Sequence, residues 1–390
     1  MGKPVEVEGI NPRVLQWARE RAGYSLEDAA QKMGKAADVL VAWECGEGAP
    51  TYAQLEKLAY SVYKRPIALF FFPEPPPELD ATKEFRTLPE FEISELSSHT
   101  RYMLRQAQAM QLALRELNDG HNPAPAPLFR ELTVRRGDAP DRVAAQLRKA
   151  LGVDFQTQQS WDDEGTALKE WRNRIEERGI FIFKNSFKQR DVSGFCLLDE
   201  EVPVIYLNNS TTWTRQIFTI FHELGHILLH SSGVTKQDDS YVDSLRGTVR
   251  QVEMFANQFA AEFLVPSAHL ERALTRGWNE TTLADLADTY HVSREVILRN
   301  LLDRGLVSPE EYRERASKWA QEFKGTHRRR GKGGDYYNTR SSYLGSNYLQ
   351  LAFNKYYQGR ISREQLADYL GVKIRNVRGL EEVATRGAGE

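Results

Sequence analysis

Apolar and polar positions change period twice along the chain. In NPRVLQWARERAG the apolar residues Val14, Leu15, Trp17 and Ala18 recur at helical spacing, and Gly23 supplies a stop. Ser25 then opens SLEDAAQKMG, with Asp28 three residues on in a near capping box, and Gly34 ends that helix. ADVLVAWECG and PTYAQLEKLAYSVY continue the pattern, so residues 1–72 are expected to form four or five short helices containing a helix-turn-helix. FFFPEPPPELD interrupts it, because consecutive prolines favour an extended chain; Phe70, Phe71 and Phe72 are expected to cap the first core. Residues 91–175 are again mainly helical, broken by Asn122-Pro-Ala-Pro-Ala-Pro, and ALKEWRNRIEERG is an amphipathic helix ending at Gly179.

The period then shortens to that of strands in GIFIF, VSGFCLL and VPVIYLN, with DEE at 199–201 turning a hairpin. Pro203 favours an edge position for the third strand, since proline cannot donate to a central ladder. A long apolar helix, 213–230, follows. After Pro266 the chain is helical; TLADLADTYHVSREVILRNLLDRGLVS and ISREQLADYLGVKIRNVRGL are a second and a third helix-turn-helix-like pattern, for each of which a simple packing module is the favoured reading.

The expected architecture is α+β and predominantly helical. It comprises a helix-turn-helix bundle at 1–72, a Pro-rich linker at 73–90 and a helical region at 91–175. A core with a small sheet and helical subdomain follows at 176–325, then a basic linker at 326–335 and a C-terminal helical module at 336–390.

Composition narrows the function classes. The two cysteines, Cys45 and Cys196, fit a reducing cytoplasm better than a secreted disulfide framework. No apolar run follows Met1, and no segment offers the ~20 uninterrupted apolar residues of a membrane helix. The net charge is −2, yet His327 to Glu390 carries 12 Lys or Arg against 6 Asp or Glu.

Three of eight histidines fall in FHELGHILLH, residues 221–230. His222-Glu223-Leu224-Gly225-His226 matches H-E-x-x-H: on a helix the two imidazoles are neighbours, and Glu223 between them can take a proton from a metal-held water. The bland alternative is a pair of core histidines with satisfied hydrogen bonds. His230 cannot complete a site, because eight residues place it ~12 Å along the axis from His222. It is expected to end the helix, where a cationic ring suits the dipole. The turn that would bring a later histidine back needs Gly at 229, where Leu stands.

A third ligand is therefore sought elsewhere. VEMFANQFAAEFLVP offers Glu253 and Glu262, roughly 180° apart on a helix, so only one faces the site. Glu253, which shares its face with Asn257, is favoured, with Asn257 orienting a ligand from behind. Asp238, Asp239 and Asp243 are read as solvated loop acids.

FHELGHILLH followed by EMFANQFAAEFLVP resembles the ImmA/IrrE family of zinc metallopeptidases, over about residues 165–310. The resemblance implies a zincin-like domain in which His222, His226 and the glutamate of E-x-x-A-N-x-F-A-A, here Glu253, bind Zn2+. AWECGEGAPTYAQLEKLAYSVYKRPIALFFFPEPP, with FRTLPE after it, is similar to the Xre/Cro-type helix-turn-helix often fused ahead of such a peptidase. The implied function is zinc-dependent cleavage of a specific partner protein, commonly a helix-turn-helix repressor, relieving repression of stress, mobile-element or toxin–antitoxin genes. Glu223 would be the general base. VPVIYLN is expected to pair with extended substrate through Val204 and Tyr206. Tyr206, Tyr241 and Arg246 are candidate oxyanion donors.

Two other readings compete. One is a DNA-binding regulator in which the peptidase-like domain senses or is silent. Against it, the expected recognition helix Ala36–Glu44 is poor in residues that read base edges, and residues 1–65 hold nine cationic and nine acidic side chains. The other is a structural partner such as half of a toxin–antitoxin pair, which the intact His, Glu, His, Glu set disfavours.

Overall fold

The computed structural model describes residues 5–78, 96–189, 191–231, 233–236, 242, 245–275, 277–326 and 335–387, without the side chains of 320–326 and 387. FRTLPE, most of the basic linker, Tyr241 and the acids Asp238, Asp239 and Asp243 lie outside the described residues.

The chain forms two compact units: Met1–Gln106 with Phe187–Gln189, and Ala107–Ser186 with Arg190–Glu390. The first holds α1 (Pro12–Arg21), α2 (Leu26–Met33), α3 (Ala37–Cys45) and α4 (Tyr52–Glu56). A π-helical turn, Lys57–Tyr63, and a 3-10 turn, Ile67–Phe71, close it. Asn11 and Ser25 accept the orphan amides of α1 and α2, and Gly34 stops α2 in the left-handed region at φ 68°. Val14, Leu15, Ala18, Leu40, Leu55 and Phe70 make the core. Arg19 clamps Glu44 with two hydrogen bonds of 2.8 and 2.9 Å, fixing α1 to α3. Of the three phenylalanines expected to cap this core only Phe70 does so. Phe71 and Phe72 are 44% and 46% exposed, because the short 3-10 turn directs one ring inward.

The unit boundary falls within α5 (Ser98–Leu117). The second unit continues with α6 (Leu128–Glu131), α7 (Pro140–Leu151), α8 (Phe155–Gln159) and α9 (Glu164–Glu176). Strands β1 (Phe181–Asn185), β2 (Val192–Leu197) and β3 (Val204–Asn208) lead into α10 (Trp213–Leu228). Then come β4 (Val234–Lys236), α11 (Gly247–Leu264), α12 (Ser267–Ala273), α13 (Glu280–Tyr290), α14 (Arg294–Asp303) and α15 (Pro309–Thr326). The last helices are α16 (Tyr336–Leu344), α17 (Ser346–Tyr357), α18 (Arg363–Leu370) and α19 (Val377–Gly387). The molecule is α+β and predominantly helical.

The sheet order is β1-β3-β2-β4, with β1 parallel to β3 and β2 antiparallel to both β3 and β4. This corrects the expectation that VPVIYLN is an edge strand. β3 pairs on both sides, and Pro203 sits one residue before it, where its missing N–H costs no ladder bond. Val204 is fully buried, and Tyr206 packs against the rings of Phe183 and Phe195, so neither meets an added strand. The edges are β1 and β4, the latter a three-residue segment with no expectation attached to it.

Behind the sheet, α10 and α11 pack through a stack of rings. Phe221 and Phe263 lie 4.1 Å apart centroid to centroid, and the edge of Trp171 closes on both at 5.1 Å. Burying each such ring stabilises the fold by about 1.5–3 kcal/mol, which makes α10 a rigid platform.

Candidate metal centre

Every residue of α10 from Gln216 to Leu228 is buried. Thr212 starts the helix by accepting from the Arg215 amide, and the helix stops at Leu228; His230 lies beyond it with a left-handed φ of 52°. His222 and His226 therefore project from one buried face, and His230 does not join them.

α11 crosses close by because residue 225 has no side chain. A Cβ there would stand 3.2 Å from the Ala256 Cα and from a Phe259 ring carbon, so Gly225 and Ala256 set the helix separation. One turn before Ala256, Glu253 points at the two imidazoles. His222 Nε2 is 3.4 Å from Glu253 Oε2, His226 Nε2 is 3.4 Å from Glu253 Oε1, and the two Nε2 atoms are 3.0 Å apart. Donors on a tetrahedral zinc with bonds near 2.0–2.1 Å lie about 3.3 Å from one another, so the triangle already has the size of that coordination face.

His222 Nδ1 lies 2.8 Å from Asn257 Oδ1. With Nδ1–H donating to this amide oxygen, the Nε2 lone pair is left for a cation. Gly233 lies flat on His226: a Cβ at 233 would come within 2.6 Å of the ring. The four groups are sealed, with His222 1% exposed and Glu223, His226 and Glu253 at 0%. Glu223 Oε1 accepts from the Thr235 hydroxyl of β4, whereas Oε2 is buried with no hydrogen-bond partner. Burial alone would raise the Glu253 pKa, but His226 and His222 pull it well below the ordinary carboxylate range. Desolvation likewise lowers that of His226, and the Glu253 charge overrides it, leaving the value raised. Two carboxylates and two imidazoles enclosed away from water are what a divalent cation would neutralise. Among the described residues, His222, His226 and Glu253 are the group whose donor atoms converge in this way.

Residues 175–302 match the model of the peptidase M78 family, the IrrE N-terminal-like domain. Residues 15–59 match a helix-turn-helix family model. The chain carries a peptidase-family domain behind a helix-turn-helix domain. No curated protein matches the chain. The M78-type domain spans β1 to α14, so all four buried site residues fall inside it.

The other candidate residues lie elsewhere. Glu262 accepts from the Ser267 amide at 2.9 Å and caps α12. Arg246 is exposed just before α11. Tyr206 is in the sheet core. Conversely, Thr235 and Gly233 touch the site unannounced. β4 is held there by the Arg215 guanidinium on the Lys236 carbonyl and by the Gly233 carbonyl, which accepts from the Cys196 amide at 3.1 Å. The buried Cys196 thiol is pushed well up by burial and by the nearby Glu223 carboxylate, so it stays protonated.

Gly233→Ala forces the new methyl into the His226 ring, an overpacking cost of roughly 1–3 kcal/mol. The expected outcome is a lower melting temperature together with zinc affinity weakened about 10–100-fold, as when a ligand's supporting shell is disturbed. Thermal melting and metal titration check both.

Proposed function

We propose that the M78-type domain is a zinc endopeptidase that cleaves a specific partner protein, a helix-turn-helix transcriptional repressor, in the reducing cytoplasm. The repressor's genes would belong to a stress, mobile-element or toxin–antitoxin system. The observation that carries this is the sealed His222, His226, Glu253 triangle with an unpartnered Glu223 oxygen beside it.

His222, His226 and Glu253 would hold Zn2+, which when bound acts as a Lewis acid and brings the pKa of water near 7. Glu223 takes the proton from the attacking water and returns it to the leaving amine. Its Oε2, with no other partner, is the atom free to do so, while the Thr235 hydroxyl holds Oε1. Asn257 fixes the His222 ring. With β3 interior, the edges are β1 and β4, and the one that reaches the site, and so would receive an extended substrate, is β4. Its only strand partner among the described residues is β2, and it carries Thr235 to the base.

Thr235→Val removes the hydroxyl without changing the shape. Cleavage is expected to slow about tenfold with zinc content unchanged, an effect of the size of one hydrogen bond to a charged group. Thr235→Ser should restore the rate; a valine variant as fast as wild type would remove Thr235 from the mechanism.

The reading is tested by incubating the zinc-loaded full-length protein with the purified helix-turn-helix protein encoded beside it, and with Glu223→Gln under the same conditions. A discrete, chelator-sensitive cut made only by wild type is expected. No cut in that protein or in the cellular proteome would reject the reading in favour of a silent regulator.

A further inference from the structure

Three helix pairs in this chain share one local design, and superposing them by sequence position separates what each presents. In α2–α3 the capping serine Ser25 stands nine residues before the left-handed Gly34, and Leu40 and Trp43 are buried six and nine residues after it. In α18–α19 Ser362, Gly371 (φ 59°), Val377 and Leu380 repeat those intervals. Ala30 and Met33 correspond to Ala367 and Leu370, all buried. In α13–α14 the left-handed residue is His291 (φ 56°), after which Ile297 and Asn300 are buried at the same intervals.

The outward positions differ. In α2–α3 they are Ala36, Ala37, Asp38 and Val41, with no cation among them. In α13–α14 the residue equivalent to Val41 is Leu298, fully buried in the main core, and Arg294 is engaged by Glu280. In α18–α19 the same four positions are Lys373, Ile374, Arg375 and Arg378. Lys373 and Arg375 are exposed, Ile374 is 45% exposed and the Arg378 side chain 81% exposed. Asn376 lies between them, and Arg363 is exposed at the start of α18. Packing of the module on the rest of its unit falls largely to α16 and α17. Arg172 donates to the carbonyls of Ser342 and Tyr343 at 2.6 and 3.3 Å, and Tyr348 meets Phe183 edge-on at 5.1 Å. α18–α19 thus keeps its cationic face outward.

We propose that α18–α19 is a duplex-DNA binding surface, with Lys373, Arg375, Asn376 and Arg378 entering the major groove and Arg363 resting on a phosphate. In a helix-turn-helix the first residues of the second helix reach base edges while the first helix crosses the backbone. Arginine and lysine pair with guanine edges, asparagine with adenine, and an apolar side chain such as Ile374 meets the thymine methyl. The acids nearby do not cancel this. Glu364 and Asp368 stand on α18, Glu381 on α19 accepts from the Tyr357 hydroxyl, and Glu382 meets Arg378 at 3.4 Å as an exposed i,i+4 pair, worth little in water, so Lys373, Ile374, Arg375 and Asn376 form an acid-free stretch. The inference is independent of the peptidase reading, and it moves DNA contact from the domain that matches a helix-turn-helix model to one whose cations suit it.

The test is fluorescence polarisation of the full-length, zinc-loaded protein with a labelled 30-base-pair duplex of random sequence, titrated at NaCl from 50 to 300 mM. On a duplex of random sequence, with no chosen base edge to read, the groove-facing cations rest on phosphates, and each lost phosphate contact reduces the slope of log affinity against log salt by about 0.9. Lys373→Ala/Arg375→Ala/Arg378→Ala should therefore flatten the slope by up to about 2.7 at unchanged melting temperature. Arg375→Lys/Arg378→Lys should keep it, as should Val41→Glu in the first helix-turn-helix. Should the triple variant melt early, the exposed Arg375→Glu alone must weaken binding. The proposal is overturned if wild type does not bind the duplex at 50 mM NaCl, if the cation variants titrate as wild type, if Val41→Glu abolishes binding, or if single-stranded RNA is held more tightly than the duplex.

Discussion

Glu223→Gln is expected to keep its zinc, melt near the wild-type temperature and lose cleavage by about two to four orders of magnitude, the range a positioned general base contributes. The carboxylate is fully buried, and the substitution is nearly isosteric, so the surrounding side chains have no reason to rearrange. Thr235 can turn its hydroxyl to meet either an amide oxygen or an amide nitrogen at the place of Oε1. The amide, however, cannot take a proton. Neither His222 nor His226 can replace it as base, since each Nε2 faces the triangle with Glu253. Rate measurements on the cleaved partner, beside metal content by atomic emission, separate the two effects. A variant cutting within tenfold of wild type would remove Glu223 from the role of base.

The helical parts of this site could be read from sequence because their determinants are local. H-E-x-x-H puts two rings on one face through the 3.6-residue repeat alone, and the same repeat separates Glu253 from Glu262. Caps and stops are local as well: Ser25, Gly34, Ser362 and Gly371 occupy the positions their chemistry suggests. The sheet was less legible. Whether β3 is central depends on β1 pairing with it in parallel on the side away from β2, a pairing made between residues more than twenty positions apart. Pro203 supplies a true local fact, a missing donor, but stands one residue outside the ladder.

β4 marks the limit most clearly. Three residues carry no alternation to detect, and its register slips at the bulge opposite Val192 and Gly194. Yet it brings Gly233 to His226 and Thr235 to Glu223, so a neighbour of the base and a neighbour of one ligand come from a segment without a signature. The basic tail is an intermediate case. Its charge was countable, but the outward direction of Lys373, Arg375 and Arg378 followed only once Val377 and Leu380 were seen to face inward.

Metal removal should be as large an effect on stability as the loss of the base is on rate. A ligand held only by the folded state stabilises it by about 4.1 kcal/mol at a thousand times its dissociation constant. Chelation of the wild type should therefore lower the melting temperature by roughly 8–16 °C, taking about 2–4 °C per kcal/mol for a domain of this size. Without the cation, Glu253 alone faces the two imidazoles, and Glu223 Oε2 is left with no hydrogen-bond partner. Glu253→Gln removes one charged ligand and leaves a neutral amide oxygen between two imidazoles. The variant should take up little zinc at micromolar concentration, and chelator should no longer move its melting temperature. Glu262→Gln provides the contrast: it loses the bond to the Ser267 amide that caps α12 but should retain full zinc occupancy and full chelator sensitivity. The opposite pattern, with Glu262→Gln emptied and Glu253→Gln still loaded, would mean that the triangle of His222, His226 and Glu253 is an ion-pair cluster of the core and that the metal, if any, sits elsewhere.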